Sequence, residues 1–245
     1  MRKALLLTGV LLAMTASVAM AAAGVNVSWG NTCWADAGHA SSLTWACNSN
    51  SFTGVRMTCS YAVAVSKTNM VATDLYMEGA TNDVGTAVPD WWKLGDSECR
   101  TSSSVVVLSA DGSLGGGACQ DLWGGAGAGG IGLYSDEGNR THINATWAVP
   151  DPIAIDAGVE TFAATFRIAT TKTTGTGACA GCDVPLTWAL NYIQVAYQGE
   201  STSEVLDQVL PSGNQCVTWQ GGAAPCARPL PVRNQTWGQI KSLYR

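Results

Sequence analysis

The chain has 245 residues and a formal net charge of −5, and Asp, Glu, Lys and Arg together make up only 13% of it. So few cations, nowhere clustered, argue against nucleic acid or an anionic membrane as partner. Gly, Ser, Thr, Ala and Asn are abundant instead, a composition suited to exposed sheet rather than to helical surface.

At the N-terminus, Met1 to Lys3 supplies positive charge and Ala4 to Met20 an apolar stretch. Ala19-Met20-Ala21 forms a small-residue cleavage site, and Ala21-Ala22-Ala23 is an equally good frame. Residues 1–23 are therefore expected to be a secretory signal peptide, with a β-sandwich domain over 24–224. No cysteine sits where a lipid anchor would need one, and no later stretch approaches the ~20 apolar residues of a membrane span. The mature chain is expected to have no transmembrane segment and to be extracellular, cell-surface or periplasmic. Its length of about 220 residues suits one all-β domain.

Strand-length alternation of apolar and polar residues then recurs along the chain. It begins with Val25–Trp29, Val55–Val65 and Val71–Met77, and continues through Ser104–Leu108, Ile143–Val149 and Thr161–Ile168. In Thr161–Ile168, Phe162, Ala164, Phe166 and Ile168 form one face. Leu186–Tyr197 is apolar on both faces and reads as a central strand, and Glu204–Leu210 and Val217–Trp219 close the series. The expected fold is all-β, a β-sandwich or jelly roll of about nine or ten strands. From Gly115 to Gly132 the chain is Gly-rich. Gly127-Ala128-Gly129-Gly130-Ile131-Gly132 formally matches a dinucleotide fingerprint, but no βαβ rhythm surrounds it, so a loop is expected there and no cofactor. Over residues 225–245, Pro225, Pro229 and Pro231 predict an extended linker. A short amphipathic helix follows, capped by Thr236, with Trp237, Ile240, Leu243 and Tyr244 on one face as a candidate attachment segment.

There are nine cysteines. Local spacing suggests Cys33 with Cys47, Cys99 with Cys119, Cys179 with Cys182, and Cys216 with Cys226. Cys59 is left as a free thiol on an inward face with Met57 and Tyr61. Cys179-Ala180-Gly181-Cys182 has redox-pair spacing, but no helix start follows it, so a loop clip is expected. Zinc would need a second pair, and no metal is expected.

No catalytic motif of high specificity is present. His39 and His142 are the two histidines, and the alternation of its strand turns His142 outward beside Asn144 and Thr146. Asp90, Glu98, Asp121, Asp136 and Glu137 lie near aromatics and offer a carboxylate pair for glycoside hydrolysis. The ten tryptophans are the stronger lead. Trp91, Trp92 and Trp123 lie in or beside loops, where rings can form platforms for sugars or partner surfaces. If Trp91 and Trp92 were in a strand, one would be core and the other exposed. The sequence thus points to a non-catalytic binding protein for a glycan or an extracellular protein. A carbohydrate-active hydrolase and a structural envelope or appendage subunit are the alternatives, and an exposed, long edge strand would favour the last.

Several segments carry a resemblance. They are Ala23-Gly24-Val25-Asn26-Val27-Ser28-Trp29, Trp91-Trp92 upstream of Cys99-Arg100, Gly175-Thr176-Gly177-Ala178-Cys179-Ala180-Gly181-Cys182, and Thr236 to Arg245. Together they resemble a group of secreted, disulfide-bonded proteins of environmental bacteria to which no activity is attached. The resemblance implies an exported, disulfide-bonded domain, and Cys59 stands outside the pattern. More loosely, the strand series is similar to cohesin-like and carbohydrate-binding sandwiches, at the level of fold alone.

Overall fold

The computed structural model describes residues 22–51, 54–81, 86–100, 119–135, 140–211 and 213–221, together with the backbone of 106–109. Its strands in chain order are β1 (Gly24–Trp29), β2 (Ser42–Leu43), β3 (Val55–Ala62), β4 (Lys67–Thr81), β5 (Val106–Ser109), β6 (Ala128–Ser135), β7 (Arg140–Ile155), β8 (Thr161–Ile168), β9 (Leu186–Tyr197), β10 (Glu204–Leu206) and β11 (Cys216–Trp219). They form two sheets. One has four strands in the order β1-β3-β8-β5. The other has seven, ordered β2-β11-β9-β4-β7-β6, with β10 also paired to β9. The expected all-β sandwich is the fold that forms.

Period-two alternation decides what meets between the sheets. Val25, Val27, Met57, Cys59, Tyr61, Phe162 and Phe166 of the four-stranded sheet are buried with Leu75, Met77, Ile143, Leu190, Ile193 and Val195 of the seven-stranded one. Gly79 of β4 is needed for this packing. A Cβ there would lie 2.8 Å from Thr141 Cγ2 and 2.9 Å from Trp188 Cε2, so its absence makes room for the Trp188 indole. Cys59 is fully buried with its Sγ 3.5 Å from Met77 Sδ, and burial holds its thiol well above the ordinary pKa. A thiol reagent at neutral pH is therefore expected to leave Cys59 unlabelled in the native chain and to label it once guanidinium unfolds the chain without reductant. Rapid labelling under native conditions would refute its burial.

The four-stranded sheet is covered on its second face too. Asn26, Ser28, Thr58, Ser60 and Thr165 are buried there beneath loops. Small hydroxyls suit such a site because each finds a partner: Thr58 Oγ1 lies 2.9 Å from Thr165 Oγ1, and Ser28 Oγ donates to the Thr32 carbonyl at 2.7 Å. The Cys33–Cys119 bridge joins the two loops that bracket this face.

Three features depart from the sequence reading. Residues 128–132, expected to be loop, belong to edge strand β6, which runs in register with β7 from Ala128↔Ala148 to Ser135↔Thr141. Strand β7 runs on to Ile155 through Pro150 and Pro152, which lack N–H groups. Its pairing with β4 slips there, passing from Ala72↔Ala148 to Met70↔Ile153. Cys33, Cys47, Cys99, Cys119, Cys179 and Cys182 do not pair locally. The bridges are Cys33–Cys119, Cys47–Cys182 and Cys99–Cys179, spanning 86, 135 and 80 residues of sequence. The fold brings loops distant in sequence together, Cys119 by the start of β8 and Cys99 beyond its end, so spatial proximity overrides sequence proximity. Cys216 is also disulfide-bonded, while Cys226 lies outside the described residues. So do the signal segment and the C-terminal segment bearing Trp237, Ile240, Leu243 and Tyr244.

Candidate functional site

Trp91, Trp92 and Trp123 do not form an exposed platform, because all three are buried. Trp91 and Trp92 sit in a 3-10 turn, Asp90–Trp92, rather than a strand. Consecutive side chains in such a turn are about 120° apart, not opposed, and both indoles enter the end of the sandwich. There Trp219 packs with its ring centroid 5.2 Å from that of Trp91 and 5.4 Å from that of Trp92, with Trp29 and Trp45 close by. The Arg100 guanidinium lies 3.9 Å over the Trp91 ring and donates to the carbonyls of Trp91 and Ala169. Trp123 donates to the Ala163 carbonyl at 3.1 Å beneath its loop.

The loop carboxylates are engaged locally. Asp90 pairs with Lys93 at 2.7 Å, Glu98 accepts from Gly95 N–H and Ser135, and Asp121 caps the Trp123 N–H. Asp136 and Glu137 lie outside the described residues. Cys33, Asp36 and Cys119 are grouped like metal ligands, but the two sulfurs are bonded to each other and Asp36 accepts from the Cys33 N–H. His39 is exposed, its ring centroid 4.2 Å from that of Trp34 and tilted by 33°, with Nδ1 2.8 Å from the Asp36 carbonyl.

The outer face of the seven-stranded sheet carries a different constellation. Register places Tyr134 of β6 opposite His142 of β7, His142 opposite Glu78 of β4, and Tyr76 opposite both Asn144 of β7 and Tyr192 of β9. Their rings form a ladder across four strands. Tyr134 and His142 stack at 4.4 Å and 16°, His142 and Tyr76 at 5.7 Å and 14°, and Tyr76 and Tyr192 at 5.7 Å and 27°. The outermost ring, Tyr134, is 42% exposed.

Hydrogen bonds fix the inner rungs. Tyr76 donates its one proton to Glu78 Oε1 at 2.8 Å, so the Nδ1–H of His142, also at 2.8 Å, donates to the Tyr76 oxygen. Arg140 Nη1 neutralises Glu78 from 2.8 Å. His142 thus points outward, as the alternation implies, yet is buried under its neighbours. Burial, followed by hydrogen bonds with Tyr134 and Glu78, holds the Tyr76 phenol far above its ordinary pKa. Burial also raises the Tyr192 phenol, helped by the charges of Asp74 and Tyr134. Both phenols therefore stay protonated at neutral pH.

Around the ladder lie Asn144 and Thr146, both exposed, and the half-buried Asp74 and Gln194. Thr146 donates to Asp74 at 2.6 Å. Gly130 and Gly132 of β6, which face Thr146 and Asn144, carry no side chain beside Tyr134. The face is rich in rings and lined with hydroxyl and amide groups.

Alternation along β7 turns His142, Asn144 and Thr146 outward but does not reveal the tyrosines that meet them. The available signal was the outward set of β4, Asp74, Tyr76 and Glu78, which is polar and aromatic where a merely solvated strand needs no ring. No family model, no curated protein and no solved structure matches this chain.

Proposed function

We propose that this chain is an exported, non-catalytic glycan-binding domain whose binding surface is the outer face of the seven-stranded sheet. The ring ladder from Tyr134 to Tyr192 carries this reading. A sugar ring stacks its C–H face on an aromatic side chain, and its hydroxyls need neutral donors and acceptors at fixed positions. Tyr134 offers the ring, and Asn144, Thr146, Gln194 and the protonated phenols offer the polar partners. Three disulfides agree with an oxidising compartment, and no helix among the described residues is long and apolar enough to cross a membrane.

Hydrolysis is the weaker reading on this face. Asp74 and Glu78 are four residues apart in one strand, about 13 Å between Cα atoms, and Glu78 is held by Arg140 and Tyr76. Glycosidase carboxyls stand about 5–10 Å apart. Self-assembly has one observation in its favour. Strand β6 is a sheet edge of eight residues without charge or proline, a segment able to pair with another strand.

The purified chain is expected to be retained on a defined polysaccharide, and Tyr134→Ala and Tyr192→Ala are each expected to weaken retention about tenfold, the loss of roughly one ring contact. Affinity electrophoresis and a glycan array read both effects. Retention that both variants leave unchanged would remove the site from this face. Silence across the array, with concentration-dependent oligomers in solution, would favour the assembly reading.

A further inference from the structure

Glu160, just before β8, is half-buried. Its carboxylate accepts from Asn26 Nδ2 at 3.0 Å, from the backbone N–H groups of Trp34 at 3.1 Å and Ala35 at 2.7 Å, and from the Ser60 hydroxyl. All four donors are neutral, and among the described residues no Lys, Arg or His pairs with it. Beside it opens a pocket of about 450 Å³ lined by Ala22, Asn26, Trp34, Ala35, Glu160 and Pro211 among others. A charged carboxylate in a recess with an indole in its wall favours a compact cation, and an ammonium satisfies both.

The chain itself can supply one. Ala22 is exposed at the edge of this pocket, whereas Ala23 packs against the core and Gly24 is buried as the first residue of β1. The start of β1 is tightly held. Val25 N–H donates to the Gln208 carbonyl at 2.8 Å, and a Cβ on Gly24 would stand 2.4 Å from that same oxygen. The two cleavage frames therefore differ physically. Cutting after Ala23 would discard a packed residue and place a positive charge on buried Gly24, which costs free energy. Cutting after Ala21 places the charge at the pocket.

We propose that leader removal cuts the Ala21–Ala22 bond, and that the new α-ammonium of Ala22 occupies this pocket as the counter-ion of Glu160. Hydrolysis of this bond by an endopeptidase consumes one water. The amide breaks, Ala21 leaves as a carboxylate on the leader, and the Ala22 nitrogen takes a proton. The pocket is thus a receptor for a group that exists only after processing, so removal of the leader itself fastens strand β1. The inference rests on the export reading given above.

The test expresses the full chain in a secreting bacterial host and determines the N-terminus of the exported product by sequencing and intact mass. The expected product begins Ala22-Ala23-Gly24. Its α-amine is then acylated in short pulses near neutral pH, native and urea-unfolded. Native reaction is expected to be about tenfold slower, because a neighbouring carboxylate keeps the amine protonated, and Glu160→Gln is expected to abolish the difference. Should that variant fail to fold, the native-against-unfolded comparison stands alone. A product beginning at Gly24, or an α-amine equally reactive in both states, overturns the inference. A chain retained inside the cell with Met1 intact overturns the export reading instead. In that case, the chain released at Ala22 from a cleavable fusion gives the same acylation comparison.

Discussion

Replacing Cys182 with Ser is expected to lower stability by about 4 kcal/mol, the loop-closure entropy released when the Cys47–Cys182 bridge is cut while the Cys33–Cys119 and Cys99–Cys179 bridges hold the remaining loop to roughly 40 residues. The thermal midpoint should fall by about 10 °C or more in a domain of this size. The magnitude separates the observed connectivity from a local one. A Cys179–Cys182 clip would close only a few residues and contribute about 2 kcal/mol on the same relation. Calorimetry of the variant against the native chain reads the difference, and a non-reducing digest should release the Cys47 and Cys182 peptides joined. A midpoint within a few degrees of the native value would show that the bridge does not restrain the unfolded chain.

Trp219→Ala is expected to cost about 3–5 kcal/mol, the range for emptying a buried aromatic site. The indole is fully enclosed and packs against Trp29, Trp45, Trp91 and Trp92, whose rings cannot all close the gap. Its Nε1 donates to the Cys182 carbonyl at 2.5 Å, and truncation leaves that oxygen only the longer 3.4 Å hydrogen bond from Gln220 Nε2. Trp219→Phe keeps most of the volume and should lose roughly half as much. Denaturant titration gives both values, and a loss below about 1 kcal/mol for alanine would mean that this cluster does not bear on the fold. Because the indole and the Cys47–Cys182 bridge both hold Cys182, one by its carbonyl and one by its sulfur, the two losses should not add, and a double-mutant cycle measures the coupling.

Period-two patterning made the strands legible. Thr161–Ile168 and Leu186–Tyr197 form as read, because each presents a continuous apolar face to the opposite sheet. Strand β6 was hidden because Gly129, Gly130 and Gly132 carry no side chains to alternate, and its partner β7 supplies the order instead. The tryptophans misled for a different reason. Their number was informative, but a 3-10 turn turned two of them inward where a strand would have exposed one. The ring ladder was half-visible: each strand showed its outward polar residues, yet only cross-strand register brings Tyr134, His142, Tyr76 and Tyr192 together. Disulfide partners depend on the same long-range information, which spacing along the chain does not contain.

That long-range wiring has a consequence for the order of events during oxidation. Cys179 and Cys182 meet first by chain diffusion, since closing a short loop takes well under a microsecond, yet each finishes with a partner 80 or more residues away. Native bridges form only once β9 has found β4 and β11, bringing the loops together. On the proposed export reading, a newly released chain would therefore pass through thiol–disulfide exchange over seconds to hours unless an isomerase shortened the search. The ninth thiol joins that traffic until Cys59 is sealed between the sheets, so its burial marks the moment at which reshuffling stops.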